Sequence, residues 1–146
     1  MSDLTVRKAD RSDSEFAYGA RKAAFREYVE QVWGWDEDEQ RQLHEQRFGE
    51  QDFRVINVAG TDVGIMAVVV APDCVKLHQL FLLPEHQGKG IGRECMLRTM
   101  EEAGRLGLPV RLRVLKANPR ALAFFQRLGF VRTGETGTHV LMERVP

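Results

Sequence analysis

The segment Leu80-Phe81-Leu82-Leu83-Pro84-Glu85-His86-Gln87-Gly88-Lys89-Gly90-Ile91-Gly92-Arg93 constrains this chain more than any other. An apolar run ends at a proline, glycines alternate at Gly88, Gly90 and Gly92, and a helix-compatible stretch follows. Such a passage reads as a buried strand, a tight loop and the first turn of a helix. Successive backbone N–H groups at a helix N-terminus, with no Cβ atoms in the way, form a ready anion site. Its natural guest is a phosphate or pyrophosphate, and Lys89 and Arg93 add positive charge at the edge. The loop is not a P-loop, which needs a wider glycine spacing followed by Gly-Lys-Ser/Thr. It also fails the dinucleotide fingerprint, because the third glycine position is Arg93 counted from Gly88 and Cys95 counted from Gly90.

The remaining residues bound the setting. A chain of 146 residues with 43% hydrophobic and 29% charged residues suits one soluble domain, residues 1–146, with its own core. Lys+Arg and Asp+Glu both number 21, so the basic footprint of a nucleic-acid binder is absent. The longest apolar run, Val63 to Ala71, is too short to span a bilayer, and no membrane partner is expected. Met-Ser-Asp-Leu at the start shows no secretory leader. Cys74 and Cys95 have no ligand spacing, so the expectation is a cytoplasmic protein with reduced thiols and no metal.

Periodicity supplies the order of elements. Leu4 and Val6 open with a short strand, and Ser12 with Glu15 reads as a capping box for a helix to about Gln31. Phe16, Ala20, Ala24, Tyr28 and Val32 give that helix an apolar stripe. Gly34 breaks it, and Asp36 with Glu39 starts a second, very polar helix to Phe48, expected on the surface with His44 solvated. Three strands follow around turns at Gly60-Thr61-Asp62 and Pro72-Asp73, the third running from Val75 to Leu83. Next come a helix from Gly90 to Arg105, a strand at Val110 to Leu115, and a helix capped by Asn118-Pro119 and ended by Gly129. Phe130 to Thr133 and Thr138 to Glu143 form a closing antiparallel pair. The expected fold class is α/β, a mixed central sheet of six to seven strands with about four helices on its faces.

Two spacings together resemble a known family. Gln87, Gly90 and Gly92 follow Gln/Arg-x-x-Gly-x-Gly, and Asn118, Ala121, Phe125, Gly129 and Phe130 follow Asn-x-x-Ala-x-x-x-Tyr-x-x-x-Gly-Phe. In this order and strand–helix context they resemble the GNAT superfamily of N-acetyltransferases. The resemblance implies a mostly antiparallel sheet splayed into a V between its fourth and fifth strands, with acetyl-CoA lying in the V. Leu80, Phe81 and Leu82 would then hold the pantetheine arm. Gln87, Gly88, Lys89, Gly90, Ile91, Gly92 and Arg93 would hold the pyrophosphate, and Asn118 and Phe125 would line the thiol end. Asn118 also reads as a helix N-cap, and the two roles are compatible.

Departures from the pattern matter as much. Many members place a Tyr where this chain has Phe125, and use its phenol to protonate the leaving thiolate. Ribosomal-protein-type members keep a carboxylate base where this chain has Arg113, and histone-type members keep a Glu where it has Lys76. The remaining base is His78, a position where arylalkylamine-type members carry His, and imidazole suits proton removal from an ammonium at neutral pH. Tyr28, Trp33, Trp35, Arg113 and His139 are the acceptor-site residues, the aromatic ones able to wall an apolar or cationic amine. The alternatives are that the tryptophans pack the helix pair onto the sheet and that Arg111 and Arg113 make surface ion pairs. Cys95 reads as a packed thiol rather than an acyl carrier. The expected function is acetyl transfer from acetyl-CoA to a primary amine of a small molecule or peptide, by direct transfer in a ternary complex. The alternative is a non-catalytic acyl-CoA-binding or sensing domain. The resemblance also allows a homodimer, since many members of the family dimerise.

Overall fold

The computed structural model describes residues 3–146; Met1 and Ser2, on which the leader reading partly rests, lie outside them. The elements are β1 (Leu4–Lys8), α1 (Ser14–Val32), α2 (Glu37–Glu50), β2 (Asp52–Val58), β3 (Thr61–Val70), β4 (Val75–Leu82), α3 (Ile91–Leu106), β5 (Val110–Leu115), α4 (Pro119–Arg127), β6 (Val131–Glu135) and β7 (His139–Arg144). The strands form one seven-stranded sheet in the order β1-β2-β3-β4-β5-β7-β6. Every pairing is antiparallel except β4 with β5.

That parallel pair is short. Only Val75↔Val110 and Lys76↔Arg111 are in register, and beyond them the two strands part. The side of β4 that faces β5 therefore has no strand partner from His78 to Leu82 among the described residues, which opens the V that the resemblance implied. The β2–β3, β3–β4 and β6–β7 pairs are hairpins, so their register is set by short turns.

Both faces of the sheet are covered. Alternation along β3 sends Ile65 and Ala67 to one side, where they pack with Ala17, Ala20 and Phe53 under α1. Met66 and Val68 point the other way, into a larger core with Cys95, Met96, Val114, Phe125 and Met142 beneath α3 and α4. A strand buried on both faces reads as a continuous apolar run, which is why Val63–Val68 carries no polar residue.

Two local expectations change. The capping box lies two residues earlier than Ser12–Glu15: the Asp10 side chain accepts from the Ser12 N–H at 2.9 Å, and Asp13 accepts from the Asp10 N–H at 2.9 Å, around a short 3-10 turn. Asp13 also holds Arg7 at 2.9 Å, so the box ties α1 to the first strand. The polar helix α2 is not wholly a surface element. His44 is 5% exposed and Gln40 9%, because α2 lies against α1 and β2, with the His44 ring 5.5 Å from those of Tyr18 and Phe48 and its Nε2 3.0 Å from Ser14 Oγ. The apolar stripe of α1 differs too: Tyr18 and Arg21 are buried while Phe16, Ala24 and Tyr28 are only partly so, since one flank of the helix faces α2 rather than the sheet.

Candidate active site

The loop between β4 and α3 is built by left-handed backbone. Gly88 and Gly90 have φ of +74° and +81°, a region that costs an L-residue about 1–2 kcal/mol. Gly90 is the residue before the first turn of α3, and the first helical bond runs from the Glu94 N–H to the Gly90 carbonyl at 3.0 Å. The amides of Ile91, Gly92 and Arg93 precede that bond and are free of intrahelical acceptors. A Cβ at Gly88 would meet nothing within 4 Å, so the loop faces open space. Lys89 and Arg93 are exposed and, among the described residues, have no carboxylate partner. Free amides, two lysine or arginine charges and an unpartnered strand edge fit a diphosphate joined to an extended amide-bearing arm, which is the shape of coenzyme A.

Two residues support the loop rather than face a ligand. Gln87 donates Nε2 to the Leu82 carbonyl at 3.0 Å, stapling the loop to the end of β4. Asn118 caps α4 by accepting from the Ala121 N–H at 3.1 Å, and its amide donors have no protein acceptor among the described residues. Phe125 is buried, edge-on to Phe124 at 5.0 Å and Phe130 at 5.6 Å between ring centroids, and has no proton to give. The sequence reading passed over Phe124. It is half-buried and its ring would be 3.6 Å from a Cβ at Gly92, so α4 leans on the first turn of α3 through this ring.

His78 and Arg113 each stand two positions past the last paired residues, Lys76 and Arg111, at the mouth of the V. The β3 register steps from Val68↔Leu77 to Ala67↔Gln79, so His78 is the extra residue of a β-bulge. Bulges re-aim a side chain at a strand edge. Partial burial, then the charges of Lys76, Arg113 and Arg47, push the His78 imidazole below its ordinary value, so it is neutral at neutral pH. His139 is lowered as well, by burial and then Arg113, and its Nδ1 is 2.8 Å from Thr138 Oγ1. Arg111 makes the surface ion pairs expected of this strand, with Glu143 at 2.7 Å and Asp73 at 3.2 Å, whereas Arg113 makes none among the described residues.

The aromatic residues divide. Trp33 is 60% exposed and stands 6.2 Å from the His139 ring, so it packs no core. Trp35 is held by Nε1 donating to Glu37 at 2.8 Å and lies under the guanidinium groups of Arg21 and Arg26. Tyr28 stacks beside Phe25, which in turn meets Phe81 of β4 at 4.9 Å. Burial is the main cause that raises the Tyr28 phenol. Cys95 is 1% exposed, and burial raises its thiol to about 11, which leaves no thiolate to carry an acyl group.

A seven-stranded sheet splayed at its one parallel pair, β4 with β5, and an open glycine loop at the head of α3 form the architecture that the resemblance implied. The chain belongs to the Acetyltransferase (GNAT) family, whose family model matches residues 17–130. By sequence it is 37% identical over 59 residues to the L-amino acid N-acyltransferase MnaT of Escherichia coli, across 40% of this chain and 34% of that one. It is 34% identical, over the same shares, to the L-methionine sulfoximine/L-methionine sulfone acetyltransferase of Salmonella typhimurium. The match thus spans about a third of the length of these curated relatives. By structure it is similar to the PaiA N-acetyltransferase of Thermoplasma acidophilum in complex with coenzyme A, with a TM-score of 0.81 at 18% identity over 98% of this chain and 99% of that one. The spermidine N-acetyltransferase of Vibrio cholerae, in complex with CoA and spermine, gives 0.73 at 22% identity over 99% and 96%. At these identities the structural likeness shows the fold. Among the described residues no helix is long and apolar enough to cross a membrane.

Proposed function

We propose that this protein is an N-acetyltransferase that moves an acetyl group from acetyl-CoA directly to a primary amine of a small molecule or peptide. The observation that carries this reading is the V between β4 and β5, with the open amides of Gly88 to Arg93 at one end and His78 at the other. Leu80 to Leu82 offer the unpartnered strand edge for the amide-bearing arm, and the loop with Lys89 and Arg93 offers the anion site. The thioester supplies an already activated acyl carbon. The chain supplies position, worth several kcal/mol for two reactants held in line.

The acceptor enters from the α1–α2 side, past Tyr28, Trp33, Trp35 and His139. Its nitrogen bonds to the acyl carbon as the carbon–sulfur bond breaks. His78, neutral at working pH, takes the proton that the nitrogen loses. Phe125 cannot return a proton to the departing sulfur, so that proton comes from water.

The test is a thermal-shift titration with acetyl-CoA, CoA, ATP and NAD, followed by an amine panel read by CoA release. Acetyl-CoA at a hundred times its Kd stabilises by about 2.7 kcal/mol, and Gly90→Asp abolishes that rise. No response to any CoA species overturns the reading. Binding with no turnover across the panel leaves the acyl-CoA-sensing domain instead.

A further inference from the structure

The α1–α2 side of the V is lined with positive charge that the protein itself does not neutralise. Arg113 of β5 and Lys76 of β4 stand on the sheet at the V, Arg47 comes down from the last turn of α2, and Arg21 lies deeper between α1 and α2. Among the described residues no carboxylate lies within 4.0 Å of any of these four, although thirteen such pairs occur elsewhere. Arg21 is only 7% exposed. Its one hydrogen bond to a side chain is Nη1 to Gln40 Oε1 at 2.6 Å, and its guanidinium otherwise rests on the rings of Phe25 and Trp35. Arg47 is lowered by burial and then by Arg113, Arg21 is lowered to about 10 by burial and then by Arg47, and His78 is lowered by burial and then by Lys76, Arg113 and Arg47.

Buried charges are ordinarily paired, because desolvating a lone ion costs several kcal/mol. Of the four only Arg21 is buried and Arg47 half-buried, while Arg113 and Lys76 are exposed, so the desolvation cost falls on the inner pair and an anion reaching Arg47 from the side of Arg113 would offset it. A second orphan stands beside the cluster. Gln79, next to His78 and 5% exposed, donates Nε2 to Gln51 at 3.2 Å, but its Oε1 is buried with no donor.

We infer that the acceptor amine carries an anionic group, a carboxylate in the simplest case, which binds between Arg47 and Arg113. This inference rests on the transferase reading above and names the substrate class of the same site. The amine end then lies toward His78. The same cations make the site hostile to an ammonium, favouring the neutral amine that attacks and disfavouring polycations such as spermidine.

The experiment compares the common L-amino acids with their carboxamides and with spermidine, in the wild type, Arg113→Gln and Arg47→Gln. It reads CoA release and, independently of turnover, the rise in melting temperature that each compound adds in the presence of CoA. The expected result is a preference of about tenfold or more for carboxylate over amide, carried by KM. Arg113→Gln, an exposed position that folding does not need, removes the preference while the response to acetyl-CoA stays. Amides or spermidine used as well as carboxylates, or a preference untouched in both variants, overturns the inference. Carboxylates that stabilise the protein without being acetylated uphold the anion site and remove the transferase reading. If no carboxylate either stabilises the protein or is acetylated, the anion site is removed whatever acetyl-CoA does.

Discussion

Gly64 of β3 sits opposite Leu82, at the tip of the strand edge proposed to hold the acyl donor. A Cβ placed there would meet the Phe81 carbonyl oxygen at 2.4 Å, Leu82 Cδ2 at 2.7 Å and Leu82 Cα at 3.0 Å. Two of these three contacts are backbone, so no rotamer relieves them, and β4 must retreat by about 1 Å to reach the 3.4 Å where ordinary contact begins. The retreat also strains the bond from the Leu83 N–H to the Val63 carbonyl at 2.9 Å. Overpacking of this kind costs about 1–3 kcal/mol. In a domain of this size that lowers the melting temperature by roughly 3–10 °C. Because the displaced residues are Phe81 and Leu82, Gly64→Ala should also raise the KM for acetyl-CoA while the KM for the amine changes little. Calorimetry and initial-rate kinetics read both effects. Gly19→Ala is the control: the site is helical, with nothing within 4 Å of a new Cβ, so it should stabilise by about 0.5–1 kcal/mol. A Gly64→Ala protein with unchanged melting temperature and unchanged acetyl-CoA kinetics would show that β4 tolerates the intrusion and that its tip does not position the donor.

Three further expectations concern single side chains. His78→Ala should lower kcat by about a hundredfold or more, and the acid limb of the wild-type rate profile should fall below the ordinary imidazole value of 6.5, since the ring's pKa is depressed; an unchanged kcat removes His78 from the mechanism. His44 is also depressed, chiefly by burial, so between its folded value and 6.5 the unfolded chain binds the extra proton. Stability is therefore full above pH 6.5 and declines as the pH falls from there toward the folded value, and urea melts of His44→Gln should lose part of that slope. Cys95→Ala should keep full turnover at a cost in stability of about 1 kcal/mol, measured by denaturant unfolding, whereas loss of turnover in a folded variant would revive an acyl-enzyme.

The sequence by itself determined the order of elements, the glycine loop and the family, because these rest on local rules. Periodicity, the Gln87-x-x-Gly90-x-Gly92 spacing and the Asn118 cap act over a few residues and are visible in one dimension. Even at this range competition intrudes. Ser12 and Glu15 have the letters of a capping box, yet Asp10 and Asp13 form it, since Asp13 gains Arg7 as well. Only the tertiary structure decided which surfaces of the polar helix α2 are buried, because Tyr18, Phe48 and Phe53 reach His44 from three other parts of the chain or its own next turn. The same holds for Arg111 and Arg113, alternate residues of one strand that no periodicity separates. One finds Asp73 and Glu143, and the other finds no carboxylate among the described residues. An ion pair depends on what a distant segment brings within a few ångströms, and a strand's own sequence carries no record of that partner.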